Sequence, residues 1–556
     1  MTGLHRLVVA LLMAGFGVLL FAPSASAHAV VVGSDPVDGS RLASSPTSVT
    51  IRFDEPVGLD LGYLRVVDSV GRRVDAGTAS HPAGNGAAIT VPLKAGLGNS
   101  SYLASFRVTS ADSHPIAGSI RYVVGDGALG AQGPSSSTPV NQAVSTALAV
   151  SHWLSFVGVG LVGGSWLIFS LWPSGQRSQP IRRLVWTGWT VAVLGAVAEF
   201  LLQGPYSAGS GLSTATQSTL LDATLHINAG QLLSVRVLLI GILGAVLTAL
   251  FADRRRRPSW AAEVAATVGV GIVVTFAAAG HTQTANPRWL AVLVDALHLT
   301  AMIVWLGGLA VLLVAALTRS HRSAADGDAD RADTDELSAG LPVFSRIALA
   351  CVVTLAVTGT IQAWREIGSV AAITSTRYGQ LVLLKVVLFC GLVGLGYLAR
   401  RALKRAAGGG SALVRLRRTL LTEVTVGASV LAATGVLIAQ PPGGVALAAD
   451  HAKPRSTTVA VTASSNAVVE VDPGVHGDVQ LTIQLTGGLK ATSVSATATL
   501  PAKQLGPIPV KLQAVGPGSY SGSGVLLPAA GSWQINVTVQ TSQFDASTAV
   551  ATLRVY

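Results

Sequence analysis

Eight apolar runs between residues 142 and 440 constrain the fold of this chain more than any other feature. Each run is long enough to cross a bilayer, because about 20 helical residues at 1.5 Å per residue span the hydrocarbon core. Only 12% of the 556 residues are charged, whereas soluble domains carry about 25%. The sequence therefore predicts an eight-helix transmembrane α domain. The expected spans are 144–172, 184–203, 232–252, 261–281, 290–317, 343–365, 380–400 and 419–440.

The Lys and Arg residues between the runs predict the orientation. Alternate loops hold 16 of these residues, and the loops on the opposite side hold two. Because positively charged loops stay in the cytoplasm, both ends of the helical domain are expected outside the plasma membrane. The basic run 254–257 is then a topology signal. The net charge of +11 therefore does not call for nucleic acid as a partner.

Residues 1–27 have the pattern of a cleavable signal peptide. A basic start precedes an apolar run from Leu7 to Phe21, and the small residues Ala25-Ser26-Ala27 follow. An uncleaved anchor helix is the alternative, although the run is short for a span. Cleavage would make His28 the first residue of the mature protein.

The regions on either side of the helical domain alternate apolar and polar residues. Short alternating runs separated by Gly, Pro, Asn and Asp fill residues 28–127, and residues 128–141 form a polar linker. The same pattern returns over residues 455–556. The predicted fold class is therefore mixed, with an all-β sandwich on each side of a helical domain at 142–440.

A mature N-terminal histidine has unusual metal chemistry. Its α-amine and its imidazole can chelate one ion together, and Cu(II) favours tetragonal nitrogen and oxygen ligands. Asp112 and His114 would lie on one face of an extended segment, because side chains alternate along a strand. These residues could complete a copper site with His28. The alternative is an exposed pair without function.

The N-terminal β region resembles the periplasmic CopC family in two stretches. The first begins at His28 and continues through the segment 49–57, VTIRFDEPV; the second is the segment 102–118, YLASFRVTSADSHPIAG. In that family the mature N-terminal His, an Asp and a His bind Cu(II). The resemblance implies these roles for His28, Asp112 and His114.

The sequence departs from the CopC pattern at two points. Ser113 stands where the family often has Gly, which leaves the ligands unchanged. The Met-rich Cu(I) site of some members is missing, since Met302 is the only methionine that remains after cleavage. Cys351 and Cys390 both lie in apolar runs, so a CxxC metal site is missing as well.

The helical region resembles the CopD family through a series of ordered motifs. They lie at 202–206, 280–281, 298–309, 344–345, 358–359 and 378–385. The tail, with Gly518-Ser519-Tyr520 and 530–533, is similar to the YtkA-like sandwich that follows CopD in fused copper-uptake proteins. The whole chain thus resembles a CopC–CopD fusion of the copper resistance and copper uptake family.

Polar residues inside the predicted spans suggest a path for copper, because an ionisable group in a bilayer is costly to bury. Asp295 and His298 lie three residues apart, on one helix face. The thioether of Met302, one turn further on, suits Cu(I). Alternatively, the histidines hydrogen-bond neighbouring helices and the charges form structural pairs, Glu199 with Arg236 and Lys385 with Glu423. The predicted path comprises His152, Glu199, His281, Asp295, His298 and Met302.

These patterns predict a copper-binding membrane protein that captures Cu(II) outside the cell and passes copper across the plasma membrane. The expected partners are copper, the lipid bilayer and an outer-face donor or acceptor protein. The sequence has neither a P-loop motif nor a nucleophile–base signature, so no enzymatic activity is expected. One alternative is a membrane-anchored copper buffer or chaperone that confers resistance. Another is a redox protein in which His152 and His298 ligate haem.

Overall fold

The computed structural model describes most of the chain in two compact units. The described residues are 29, 31–110, 115–126, 141–252, 258–283, 287–319, 328–405, 411–438 and 440–556. The first unit is helical and covers the described residues from 141 to 444; the second contains the β-strands on both sides of it.

The N-terminal β region forms two sheets around one core. Its strands are β1 (Val31–Asp35), β2 (Ser40–Leu42), β3 (Ser48–Phe53), β4 (Val57–Asp68), β5 (Ala88–Pro92), β6 (Ser100–Ser110) and β7 (Pro115–Val124). The sheets have the orders β1-β3-β5 and β2-β7-β6-β4. Alternate residues of β3 face the core, where the ring of Phe53 meets that of Phe106 at 5.7 Å between centroids. The predicted N-terminal sandwich is confirmed.

The C-terminal β region forms a second two-sheet structure. Its strands are β8 (Arg455–Thr462), β9 (Ser465–Asp472), β10 (Gly477–Leu485), β11 (Ser493–Leu500), β12 (Leu505–Val510), β13 (Gln513–Gly516), β14 (Ser519–Leu527), β15 (Gly531–Gln540) and β16 (Ala546–Val555). The sheet orders are β13-β14-β10-β9-β8 and β12-β11-β15-β16. Trp533, Ile535 and Val537 alternate along β15 and fill the core between the sheets. Period-two burial of this kind is the reason that the sequence pattern predicted strands.

The central region is helical throughout. Its helices are α1 (Gln142–Gly163), α2 (Ser165–Ser170), α3 (Gln179–Ala208), α4 (Ser218–His226), α5 (Asn228–Leu250), α6 (Ala261–Ala277), α7 (Arg288–Arg319), α8 (Asp328–Ile367), α9 (Val370–Ser375), α10 (Arg377–Arg405), α11 (Ser411–Ile438) and α12 (Gly443–Ala452). Among the described residues, seven helical segments are long and apolar enough to cross a membrane, and α6 is a shorter apolar helix. Together they match the eight predicted spans.

Glycines bring the spanning helices into backbone contact. A Cβ atom added to Gly158 would overlap the backbone of α3 at Ala192. A Cβ atom on Gly164 would likewise overlap Gly307 of α7, and one on Gly307 would overlap Gly164. Small residues allow this approach in membranes, where packing replaces the hydrophobic effect as the force between helices. The contacts set α1 against both α3 and α7.

The two β regions of the second unit meet at the turn between β1 and β2. Gly39 has a φ of +73°, and a Cβ atom there would overlap the side-chain amide of Gln480 on β10. Asp38 accepts a hydrogen bond from the backbone N–H of Arg121. The carboxylate of Asp38 also acts electrostatically on Asp472, at the end of β9. Two carboxylates therefore interact electrostatically across this contact.

Protonation of Asp472 is expected to stabilise the contact between the two β regions. The pKa of Asp472 is raised from 3.8 to about 6, mainly by burial and further by the carboxylates of Asp38 and Glu470, while Arg121 acts in the opposite direction. The folded state then binds this proton more tightly than the unfolded state, so stability is greatest below about pH 4 and falls as the pH rises through about 6. We expect Asp472→Asn to stabilise the region at pH 7 by up to about 3 kcal/mol.

Hydrogen exchange in β9 and β10 of the full chain measures this effect, once intrinsic exchange rates at each pH are taken into account. Protection in the wild type should rise from pH 7 to pH 5, and protection in Asp472→Asn should change little. Asp478→Asn on the exposed part of β10 is the matched control and should behave as the wild type. Equal pH dependence in the wild type and in Asp472→Asn would contradict the expectation.

Candidate metal path in the membrane domain

The residues predicted to bind Cu(II) in the N-terminal β region lie outside the described residues. These are His28, Asp112 and His114. The described residues next to them belong to the sandwich. Ala29 is buried in its core, and Thr109 of β6 pairs with Pro115 of β7. The copper site of the N-terminal β region therefore stays a prediction from the sequence.

A first polar group inside the helical unit surrounds Glu199 and is called here the Glu199 cluster. Arg236 Nη1 of α5 donates a hydrogen bond to Glu199 Oε2 of α3 at 2.8 Å. His152 Nε2 of α1 lies 3.5 Å from the same oxygen. Arg236 also donates to the Oγ1 and the carbonyl of Thr275 on α6, at 3.2 and 3.0 Å. The cluster thus connects four helices of the helical unit, α1, α3, α5 and α6.

The packing of α1 on α3 explains why His152 reaches Glu199. Gly195 lies one helical turn before Glu199, and a Cβ atom on it would crowd Ser155 and the carbonyl of Ser151. The absence of a side chain at Gly195 lets the two helices approach at this level. The sequence alone places His152 and Glu199 inside predicted spans, but it does not show whether their side chains contact each other.

The Glu199 cluster is primarily an ion pair. Arg236 is 3% exposed and its guanidinium also lies 3.5 Å from the centroid of the Phe276 ring. One positive and one negative charge neutralise each other, so the carboxylate attracts a passing cation less strongly. Glu199 Oε1 is buried and has no hydrogen-bond partner among the described residues. The ion pair of Glu199 with Arg236, which the sequence offered as an alternative to a place on the copper path, is present in the structure.

A second polar group lies between α7 and α8 and is called here the His298 cluster. His298 Nδ1 is 2.8 Å from Thr358 Oγ1, and Gln362 Nε2 donates to Asp295 Oδ1 at 2.9 Å. Asp295 and His298 therefore share one face of α7, as their spacing predicts. Lys385 of α10 interacts electrostatically with both of them. The cluster combines an imidazole, a carboxylate and an ammonium group inside the helical unit.

The two remaining residues of the predicted path, Met302 and His281, belong to neither polar cluster among the described contacts. Met302 is 7% exposed and belongs to the main apolar core of the helical unit, one turn beyond His298. His281 lies in a short 3-10 helix, Gly280–Gln283, and its side chain is outside the described part of the chain. Within the described part, no three His, Cys, Asp or Glu side chains come together as a metal centre. A path here would consist of successive sites with few ligands.

Thr358 and Gln362 were not predicted to belong to the path. They occur four residues apart on α8 and contact residues three apart on α7. Thr358 falls within one of the CopD-like motifs, and its i, i+4 spacing to Gln362 places both on one helix face. That spacing was a signal available in the sequence, but the partner helix could be identified only from the fold.

Family comparisons match three parts of the chain in the order of its regions. The CopC domain family matches residues 31–125. The N-terminal domain of copper resistance protein D-like proteins matches 143–289, and copper resistance protein D matches 338–437. The resemblance to CopC and CopD that the motifs indicated is confirmed.

Individual proteins give the same result over a larger part of the chain. The copper transport protein CutJ of Bacillus subtilis (strain 168) is 30% identical over 439 residues, which cover 76% of each chain. Among solved structures, CopC from Methylosinus trichosporium OB3b is 29% identical and covers 17% of this chain and 93% of that chain, with a TM-score of 0.17. PcoC, a methionine-rich copper resistance protein from Escherichia coli, is 20% identical and covers 18% of this chain and all of that chain, with a TM-score of 0.16.

Proposed function

Because this chain belongs to the CopC–CopD fusion family of copper transport and resistance proteins, we propose that it captures Cu(II) outside the cell and passes copper inward. The family matches and the apolar helices indicate a multi-pass membrane protein that handles copper. The proposal adds a direction and a route. A domain of the CopC family joined to a bundle of spanning helices supports capture followed by transfer.

The capture site is proposed at the mature N-terminus. Removal of the leader after Ala27 would free the α-amine of His28 to bind Cu(II) together with its imidazole, Asp112 and His114. The distribution of Lys and Arg among the loops supports an outer location for both β domains. Copper bound there would lie on the side from which the helical domain takes it up.

The route through the membrane is proposed along α7. The observation that supports it is the pairing of Asp295 and His298 on one face of α7, both bonded to α8. His281 would lie at the outer entrance and Met302 one turn deeper than His298. A succession of weak sites lets an ion leave as readily as it enters.

The Glu199 cluster lies beside this route at a similar depth. Twelve residues separate His152 from Gly164, and twelve separate Asp295 from Gly307, where α1 and α7 touch. At 1.5 Å per residue each polar residue is about 18 Å from that contact. The first and fifth of eight alternating spans, α1 and α7, run in the same direction. His152 and Asp295 therefore lie at the same depth.

Copper flux into vesicles tests the proposal. The full chain is reconstituted with its outer domains exposed, and radioactive copper is supplied outside under reducing and non-reducing conditions. We expect inward flux in the wild type and a fall of at least about tenfold in His298→Ala, because loss of a ligand costs more than loss of a residue that only supports one. His226→Ala, at the exposed end of α4, is the matched control.

Three outcomes are decisive. Flux that depends on His298 supports transport along α7. Tight Cu(II) binding by the outer domain without any flux would favour the buffer or chaperone alternative. A haem absorption band in protein expressed with haem would favour the redox alternative.

A further inference from the structure

We infer that Thr358 is a positioning residue that holds the His298 imidazole as its Nδ1–H tautomer and presents Nε2 to monovalent copper. This inference deepens the proposed function and rests on the route along α7. It assigns a role to a residue of α8 whose hydroxyl is a poor ligand for Cu(I), and it names the atom of His298 that would bind.

The hydrogen-bond chain determines the tautomer. Thr358 Oγ1 lies 2.6 Å from the carbonyl oxygen of Thr354 and 2.8 Å from His298 Nδ1. A hydroxyl has a single proton, and a carbonyl can only accept. The Thr358 proton is therefore donated to Thr354, and the hydroxyl oxygen accepts from His298. In a neutral imidazole, a proton on Nδ1 leaves a lone pair on Nε2.

The packing around the ring keeps this arrangement in place. Gly359 follows Thr358, and a Cβ atom on it would be 3.3 Å from His298 Cε1, so the ring lies directly against α8. One turn away, the bond from Gln362 to Asp295 repeats the contact between the same two helices. Two bonds at i, i+3 spacing on α7 and i, i+4 spacing on α8 fix the register between the helices. Nε2 is consequently directed away from Thr358.

A lone pair on Nε2 is suited to copper. Histidine that binds a metal through one ring nitrogen usually donates the other N–H to a fixed acceptor, which orients the ring and raises its basicity. Met302 lies four residues after His298, on the same face of α7. An imidazole nitrogen and a thioether sulfur together favour Cu(I) over hard divalent cations.

Nitrogen NMR of the full chain with ¹⁵N-labelled histidine tests the tautomer directly, without transport. The His298 signals are assigned by their loss in His298→Gln. In the copper-free wild type we expect a protonated Nδ1 and an unprotonated Nε2, and we expect Cu(I) to shift the Nε2 signal. Thr358→Val keeps the shape of the side chain but removes the acceptor, so the tautomers should mix and Cu(I) affinity should fall about 10- to 100-fold. Thr358→Ser should retain the wild-type signals.

The results separate this inference from the transport proposal. A wild-type signal with the proton on Nε2, or a Thr358→Val variant with unchanged tautomer and Cu(I) response, would overturn the inference even if copper flux is normal. A Thr358-dependent tautomer with a Cu(I)-shifted Nε2 would support it even if no flux is found. In that case only the transport proposal fails.

Discussion

Changing His28 to alanine, or adding one residue before it, is expected to lower the Cu(II) affinity of the mature protein at least about 100-fold. Substitution of residues that only support metal ligands already costs about 10- to 100-fold in affinity. Either change here removes the chelate formed by the α-amine and imidazole of one residue. The added residue is the sharper test, because it keeps the imidazole and removes only the amine from its position.

Competition titration with a Cu(II) chelator measures this loss, and electron paramagnetic resonance reports the coordination. The wild type should show a nitrogen-rich tetragonal signal that the extended variant lacks. Affinity should also rise with pH, since the α-amine has a pKa of about 8 and must lose its proton to bind. His81→Ala is the matched control, because His81 belongs to the same domain and its Nδ1 lies 2.8 Å from the carbonyl of Ala88. Unchanged affinity in the extended variant would refute the site.

Much of the fold could be predicted because burial has a simple period in each region. Alternation in β3 and β15 places every second residue in a core, and apolar runs of bilayer length have few other stable structures. The short helices α4, α9 and α12 were not predicted. Each is at most ten residues long, so its apolar pattern is too brief to distinguish it from a loop.

The polar residues of the membrane domain could be listed from the sequence, but their partners could not. Glu199 is separated from Arg236 by 37 residues, and His298 from Thr358 by 60. Such contacts depend on which helices are neighbours and how they are rotated, and close-packed glycines decide both. The depth of a residue in the bilayer follows from counting residues along its helix. The neighbouring helix toward which its side chain points does not. For this reason the ion pair stayed one of two alternatives until the fold was known.

Arg236→Met is expected to destabilise the helical unit by about 3–5 kcal/mol. The substitution keeps an unbranched side chain of similar length but leaves the carboxylate of Glu199 buried without its cationic partner. Burying an ion costs desolvation free energy, and in this pair the attraction between the two ions offsets that cost. Removal of one ion leaves the desolvation cost of the other uncompensated, so the loss of stability exceeds the net contribution of the intact pair. Unfolding of the purified chain in mixed micelles, followed by circular dichroism, measures the change. Glu263→Gln on the exposed first turn of α6 is the control and should change stability by less than about 0.5 kcal/mol.

The double variant Glu199→Gln/Arg236→Met distinguishes a structural role of Glu199 from a role as a copper ligand. It removes both charges, so most of the lost stability should return. Because Glu199 Oε2 is already bonded to Arg236 at 2.8 Å, we expect the double variant to retain copper flux in vesicles, whereas His298→Ala should lose it. Recovery of stability without recovery of flux would contradict this expectation. That result would place the carboxylate of Glu199 on the path of the ion, with His152 at 3.5 Å as its neighbour.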